Sequence, residues 1–157
     1  MSVAATESPP AVANGFVYYV HSPSHNLRAS PENGGAEVVV SSEIFGGSYP
    51  NQLAVNAEYA FIGNSNLDRV TLSSGTSDLH GSFFFFASDL GVDAEHVYYV
   101  STYDVGGNYY QSLGRRSVLS PTGGSLTGDY ESFTAALALD ATHVYFAAGT
   151  GIAKLAK

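Results

Sequence analysis

The sequence predicts an all-β domain built from four repeated units, and three observations lead to this class. First, a short apolar and aromatic phrase around an Asn or Asp occurs four times, at residues 12–18, 55–61, 92–98 and 139–145. Second, the segments around each phrase are rich in β-branched and aromatic residues, with Gly, Asn and Pro between them. Third, no window of about 11 to 18 residues repeats apolar side chains at helical spacing. The fold is therefore expected to contain almost no helix.

The length of the repeat indicates a propeller blade. The anchoring residues are Asn14, Asn56, Asp93 and Asp140. Successive copies lie roughly 40 residues apart, which is the length of one four-stranded blade. Each copy contains four short β-like segments, named A to D in chain order. We therefore predict one β-propeller-like domain over residues 1–157, with four blades of four antiparallel strands, in repeats at about 9–46, 50–81, 83–130 and 133–157.

The residues that favour turns place the segments within each repeat. Segment A is predicted at 11–13, 52–55, 90–92 and 135–139, and segment B at 16–22, 59–63, 96–102 and 143–148. Segment C is predicted at 27–30, 68–73, 115–120 and 152–156, and segment D at 36–42, at 125–127 and, irregularly, at 78–81. Asn-Gly and Gly-Gly pairs between segments supply the positive φ angles of tight hairpins. In the third repeat, residues 103–114 are predicted as an enlarged loop between B and C.

The fourth repeat stops after segment C, and residues 1–8 offer the missing strand. The candidate strand residues are Val3, Ala4, Ala5 and Thr6, which have the character of segment D in the first repeat. Their candidate partners in the last segment are Ile152, Lys154 and Leu155. This pairing is predicted to complete the fourth blade and to cover its edge. It can form within one chain or between neighbours, giving a dimer or a filament, and the sequence leaves these alternatives open.

The repeated phrase resembles the bacterial β-propeller repeats of the YWTD and NHL types. The best matches are Leu137-Ala138-Leu139-Asp140 with Val144-Tyr145-Phe146, and Leu90-Gly91-Val92-Asp93 with Val97-Tyr98-Tyr99. The resemblance covers nearly the whole chain, and it implies a propeller of a kind that includes binding scaffolds, lectin-like proteins and some enzymes. The chain departs from the YWTD phrase because it contains no Trp. It also has fewer blades than is usual for these families.

Composition and charge exclude several classes of function. The net charge is −8 with only six Lys and Arg residues, so no basic surface can neutralise nucleic-acid phosphates. The chain has no Cys, which removes thiolate chemistry, and no apolar segment long enough to span a membrane. Charged residues make up only 13% of the chain. This balance favours an extracellular or periplasmic protein whose targeting segment is not present in this sequence.

Tyrosines in loops are the main candidates for ligand binding. A loop tyrosine has no core to fill, and its rigid ring offers contact area at a small entropic cost. The predicted ligand-binding residues are Tyr49, Tyr103, Asn108, Tyr109 and Tyr110, four of them in the enlarged loop. They predict a non-catalytic module that recognises a glycan or a protein. The alternative is a structural subunit that associates by exchange of its N-terminal strand.

Residue types that catalyse reactions or bind metals are present, but their spacing defines no site. The recurrent Asn or Asp after segment A is a possible oxygen ligand for a cation in a central channel, and it is more simply explained by hydrogen bonds within its own turn. His96 and His143 are equivalent positions in different blades. We therefore expect no catalytic residue, no metal and no cofactor. A metal-assisted hydrolase or lactonase that uses the channel acids is a further alternative.

Overall fold

The structure is a computed structural model, and it describes residues 8–22, 24–42, 52–63, 65–82, 86–127, 129–131, 136–148 and 151–157. Within these ranges the chain forms sixteen strands and no helix. The strands make four antiparallel sheets that follow one another along the chain. The prediction of an all-β fold is therefore confirmed.

Each sheet is one blade, numbered from the N-terminus. The first blade contains β1 (Ala11–Ala13), β2 (Phe16–His21), β3 (Asn26–Pro31) and β4 (Val38–Ser41). The second contains β5 (Gln52–Val55), β6 (Tyr59–Gly63), β7 (Asn66–Thr71) and β8 (Ser77–Ser82). The third contains β9 (Phe86–Val92), β10 (His96–Val105), β11 (Asn108–Ser117), β12 (Gly123–Ser125) and β13 (Tyr130–Glu131). The fourth contains β14 (Leu137–Leu139), β15 (His143–Ala148) and β16 (Gly151–Ala156).

The arrangement of strands confirms the predicted order of segments A to D. Within each blade, strands that are neighbours in sequence are neighbours in the sheet, and β13 pairs separately with β11. The first strands of the blades contact one another in succession, β1 with β5, β5 with β9, and β9 with β14. Blades that meet through their first strands in this way form a β-propeller.

Apolar clusters between successive blades hold the propeller together. Adjacent residues of one strand point to opposite faces of a sheet, so a middle blade contributes to two clusters. Ile62 packs with the first blade and Phe61 with the third. Likewise, Tyr99 packs with the second blade and Tyr98 with the fourth. This alternation explains why the repeated phrase ends in two adjacent apolar or aromatic residues.

The prediction of an enlarged loop at 103–114 is wrong. The strands β10 and β11 continue through this segment as a paired ladder that ends at Val105 and Asn108. Only Gly106 and Gly107 form the turn, with φ angles of 65° and 90°. Two consecutive positive φ angles are typical of the tight turns that match the twist of a hairpin. Segment D of the second repeat is also more regular than predicted, because β8 is a paired strand with one bulge.

The fourth blade has three strands in the part of the chain that the structure describes. Its last strand, β16, pairs with β15 along its whole length. Ile152 on this strand is 80% exposed. Leu155, in contrast, packs against the apolar cluster that lies between the third and fourth blades. Lys154 lies over the ring of Tyr145, 5.5 Å from its centre. The residues predicted to complete this blade lie outside the described ranges: Val3, Ala4, Ala5 and Thr6.

Candidate binding site

The propeller has two ends with different connections, because the strands of a blade alternate in direction. The turns between the first and second strands of each blade lie at one end, called the A–B end. The hairpins between the second and third strands lie at the other end, called the B–C end. At the B–C end the third blade differs from the others, because β10 and β11 each contain ten residues whereas β2 and β3 contain six. Its hairpin is therefore longer by about 13 Å.

The long hairpin brings together three of the predicted ligand-binding residues. Tyr103 and Tyr110 are directly opposite each other across the two strands, and their rings stack with centres 5.7 Å apart and an interplanar angle of 24°. Asn108 is opposite Val105, two residues further along on the same face. Tyr49 lies outside the described residues. The structure thus places Tyr103, Asn108 and Tyr110 on one face of the hairpin.

The remaining predicted residue, Tyr109, lies on the opposite face of the hairpin. It is opposite Asp104, one position along from the stacked pair. Tyr109 is 47% exposed, and Val105 at the tip is 56% exposed. Tyr109 and Val105 are thus among the large hydrophobic side chains that the propeller exposes to solvent. The hairpin therefore presents aromatic or apolar surface on both faces and at its tip.

Polar contacts fix the conformation of the hairpin. The Asp104 carboxylate accepts a hydrogen bond of 2.7 Å from the N–H of Gly107, which closes the turn. The hydroxyl of Tyr103 donates to the Asp129 carboxylate, and this hydrogen bond, together with burial, raises the pKa of Tyr103 to about 12. Tyr103 therefore remains a neutral donor throughout the physiological pH range. The stacked pair is held in place before any ligand arrives.

A buried polar network supports the base of the hairpin. The side-chain amide of Gln111 donates to the Thr102 hydroxyl at 3.2 Å, and that hydroxyl donates to Ser88 at 3.0 Å. Ser88 is the additional residue of a bulge, where the pairing of β9 with β10 shifts between Val100 and Ser101. The sequence does not reveal these residues, because a bulge leaves no signal in the local alternation of apolar and polar residues.

At the A–B end, the recurrent Asn and Asp side chains accept hydrogen bonds from their own turns. Asn56 Oδ1 accepts from the N–H groups of residues 58 and 59 at 2.9 and 2.8 Å. Asp93 Oδ1 accepts from residues 95 and 96 at 2.9 and 2.8 Å, and Asp140 Oδ1 accepts from residues 142 and 143 at 2.7 Å. The explanation by local hydrogen bonds is therefore confirmed for these three positions.

The same side chains also connect each blade to the next, which the sequence did not reveal. Asn14 Nδ2 donates to the carbonyl of Ala57 at 2.9 Å, and Asn56 Nδ2 donates to the carbonyl of Asp93 at 2.8 Å. Asp93 in turn forms an ion pair of 2.9 Å with Lys157. In Asn56 and Asp93, one side-chain atom organises the residue's own turn, and the other contacts the following blade. Local sequence patterns predict only the first role.

A cleft opens between the third and fourth blades at the A–B end. Its volume is 680 Å³, and its walls include Asp93, Glu95, His96, Arg115 and Asp140. Burial alone would raise the pKa of Asp93, but hydrogen bonds from Lys157 and from two backbone N–H groups hold it below the usual range. Hydrogen bonds from the Tyr145 hydroxyl and from backbone N–H groups also lower the pKa of Asp140. Both carboxylates are therefore ionised and already engaged.

The described residues form neither a cluster of metal ligands nor a membrane-spanning helix. No group of three or more His, Asp and Glu side chains is placed to hold a metal ion among the described residues. His96 and His143 contact the rings of their own blades, Tyr98 at 6.0 Å and Tyr145 at 6.2 Å between centres. No described helix is long and apolar enough to cross a membrane.

Comparison with known proteins supports the class of fold that the strands define, which is the β-propeller. No protein-family model matches the chain, and no curated protein matches its sequence. Among solved structures, the computationally designed Ika4 protein is similar, with a TM-score of 0.70 and 12% identity over 99% of this chain and 93% of that chain. The WD40 β-propeller domain of Doa1 has a TM-score of 0.54 and 12% identity over 98% of this chain and 65% of its own.

Tricorn protease is also similar, with a TM-score of 0.63 and 13% identity. That match covers 85% of this chain but only 14% of the protease chain. At these identities the likeness establishes the fold and carries no information about ligand or chemistry. Function must therefore be argued from the surfaces of this chain.

Proposed function

We propose that this propeller is a non-catalytic binding scaffold that recognises a protein through the long hairpin of the third blade. The observation that carries the proposal is the stacked pair of Tyr103 and Tyr110, fixed on a hairpin that extends past the other blades. Rigid aromatic side chains that are ordered before binding lose little entropy in a complex. The engaged carboxylates of Asp93 and Asp140 give no support to a hydrolase or lactonase that uses them as bases.

The distribution of apolar surface favours a protein ligand over a glycan. A sugar usually stacks on an open ring face, but Tyr103 and Tyr110 each cover one face of the other. The exposed Val105 and Tyr109 lie at the tip and on the other face. An apolar tip flanked by aromatic rings fits a groove of a partner protein, where aromatic residues carry a large part of the binding energy. The location we propose, extracellular or periplasmic, and the YWTD- or NHL-like type of repeat rest on the sequence alone.

The hairpin is tested by selecting ligands and then removing its apolar side chains. Folded protein is screened against a displayed peptide library and a glycan array, and each ligand is measured again with the double variant Tyr109→Ala, Val105→Ser. We expect peptide ligands whose Kd rises at least about tenfold in this variant, because truncated central contacts cost more than about 1 kcal/mol each. The control is Val38→Ser, an exposed valine of the first blade.

Two outcomes would contradict this proposal. Peptides that bind the double variant as tightly as the wild type would place the recognition surface elsewhere on the propeller. Glycans recovered without peptides, with the same loss of affinity in the double variant, would keep the hairpin as the site but change the ligand class. Circular dichroism of both variants shows whether the fold is retained.

Self-association by exchange of the N-terminal strand is a second candidate function. The observation that favours it is the fourth blade, which has three described strands where the first and second have four, with Ile152 exposed on its last strand. The strand predicted to fill this position lies within residues 1–7. A chain that provides this strand to a neighbour would form dimers or longer assemblies.

Light scattering on the wild type and on a chain that lacks residues 1–7 tests strand exchange. If exchange occurs, the wild type has the mass of two or more chains, and the shortened chain has the mass of one chain. A wild type with the mass of one chain, 16.5 kDa, would contradict exchange. So would a shortened chain that keeps the mass of the assembly.

A further inference from the structure

The cleft between the third and fourth blades has the size and the walls of a small-ligand site. Its 680 Å³ lies within the range of about 300 to 1,000 Å³ that is typical of ligand pockets. It is at the A–B end of the propeller, whereas the long hairpin is at the B–C end. Ligand binding in this cleft is therefore separate from the function proposed for the hairpin.

Most charged groups in this cleft already have partners. Asp93 accepts two backbone N–H bonds and pairs with Lys157. Asp140 accepts two backbone N–H bonds and a bond of 2.7 Å from the Tyr145 hydroxyl. Lys157 also lies 5.7 Å from the centre of the Tyr98 ring, which it partly covers. These groups form the walls and floor of the cleft and are not free to bind a ligand strongly.

Two charged groups in the same cleft are left without an ionic partner. Arg115 and Glu95 both line it, and neither forms an ion pair with any residue that the structure describes. They also do not pair with each other. Tyr98 also lines this cleft, with its side chain fully buried. Burial and the Asp93 carboxylate raise the pKa of its hydroxyl, and the neighbouring Arg115 guanidinium offsets part of that rise. A guanidinium and a carboxylate thus line the same cleft, and neither forms an ion pair with a described residue.

We propose that this cleft binds a small ligand that carries a carboxylate next to hydrogen-bond donors. The planar guanidinium of Arg115 matches a carboxylate in a two-point geometry, and the Glu95 carboxylate accepts from the donors of the same ligand. A phosphate group fits less well, because its second charge would lie near Asp93, Glu95 and Asp140 with a single unpaired cation to offset it. Amino acids, with an ammonium donor, and uronic acids, with hydroxyl donors, have the required chemistry.

Titrations followed by amide chemical shifts of the 157-residue protein test this site. The probes are L-alanine and D-glucuronate, with D-glucose as a neutral control for the sugar. We expect one or both acids to shift the amides of residues 93–96 and 115 in a saturable way, and glucose to leave them unchanged. Saturation by alanine alone identifies an amino-acid ligand, and saturation by glucuronate alone identifies an acidic sugar.

Three variants connect the shifts to the two unpaired groups. Arg115→Gln is expected to weaken binding of the active probe at least about tenfold, because it removes the charged two-point contact. Glu95→Gln, at an exposed turn position, is expected to weaken binding by a smaller factor. The control is Arg28→Gln in the first blade, which removes the same charge away from the cleft. The proposal is overturned if neither acid binds, or if binding is unchanged in both cleft variants.

Discussion

The Gly114→Ala variant is expected to unfold with a free energy about 2 to 4 kcal/mol below that of the wild type. Gly114 is on β11, directly opposite Tyr99 on β10, and a Cβ atom at this position would lie 2.5 Å from two carbon atoms of the Tyr99 ring. The ring cannot move aside easily. It belongs to the cluster between the second and third blades, is only 7% exposed and is covered by the Arg116 guanidinium at 5.7 Å.

The neighbouring strand of the same sheet offers a matched control for this substitution. Gly124 on β12 has no atom within 4 Å of a built Cβ and no positive φ angle, so Gly124→Ala is expected to change stability by less than about 0.5 kcal/mol. Urea unfolding followed by tyrosine fluorescence measures both variants. The double variant Tyr99→Leu, Gly114→Ala should lose less unfolding free energy than the sum of the losses of the two single variants. Equal stability of the two alanine variants would show that the ring is not confined as described.

The sequence predicted the repeated part of this fold well, because each repeat solves the same local problem. The positions of Asn56, Asp93 and Asp140 after the first strand of a blade follow from a turn that needs an acceptor for its own N–H groups. Turn chemistry and alternation are local, so they can be read from a single repeat. The order of strands within the blades follows from these local signals.

The sequence predicts which residues form the candidate site but not how they are arranged. The sequence predicts Tyr103, Tyr109 and Tyr110 in an enlarged loop between segments B and C. In the structure, these residues continue a hairpin beyond the core, where neither face needs to be apolar. Contacts between blades, such as the bond from Asn56 to the carbonyl of Asp93, join residues far apart in sequence and leave no local pattern.

The burial of Asp68 is a second feature that the sequence did not reveal, and it has a measurable cost. Asp68 on β7 shares the face of Val70, which packs against the first blade. Its side chain is only 3% exposed, and Oδ1 has no hydrogen-bond partner among the described residues. Burial, with a smaller contribution from the nearby Asp78 charge, raises the pKa of Asp68 from 3.8 to about 7. The folded protein therefore holds a proton here that the unfolded chain releases near pH 4.

This shift gives a defined dependence of stability on pH. As the pH rises from about 4 to 7, the unfolded chain loses the Asp68 proton before the folded protein does, so the free energy of unfolding falls across this window. Asp68→Asn removes the ionisable group and keeps the shape. We expect the variant to equal the wild type near pH 4 and to exceed it by up to about 4 kcal/mol at pH 8, since each pKa unit corresponds to about 1.4 kcal/mol.

Urea unfolding of the wild type and Asp68→Asn at pH values from 4 to 8 measures this difference. His80 contributes in the opposite direction, because burial lowers its pKa and its stabilising contribution is lost as the pH falls below about 6.5. That contribution is common to both proteins and cancels in the difference between the two curves. Glu32→Gln, which removes an exposed carboxylate, is the control for loss of one negative charge. If the free energies of unfolding of the wild type and Asp68→Asn differ by the same amount from pH 4 to 8, Asp68 is ionised in the folded protein. Its carboxylate would then need a partner in the interface with the first blade.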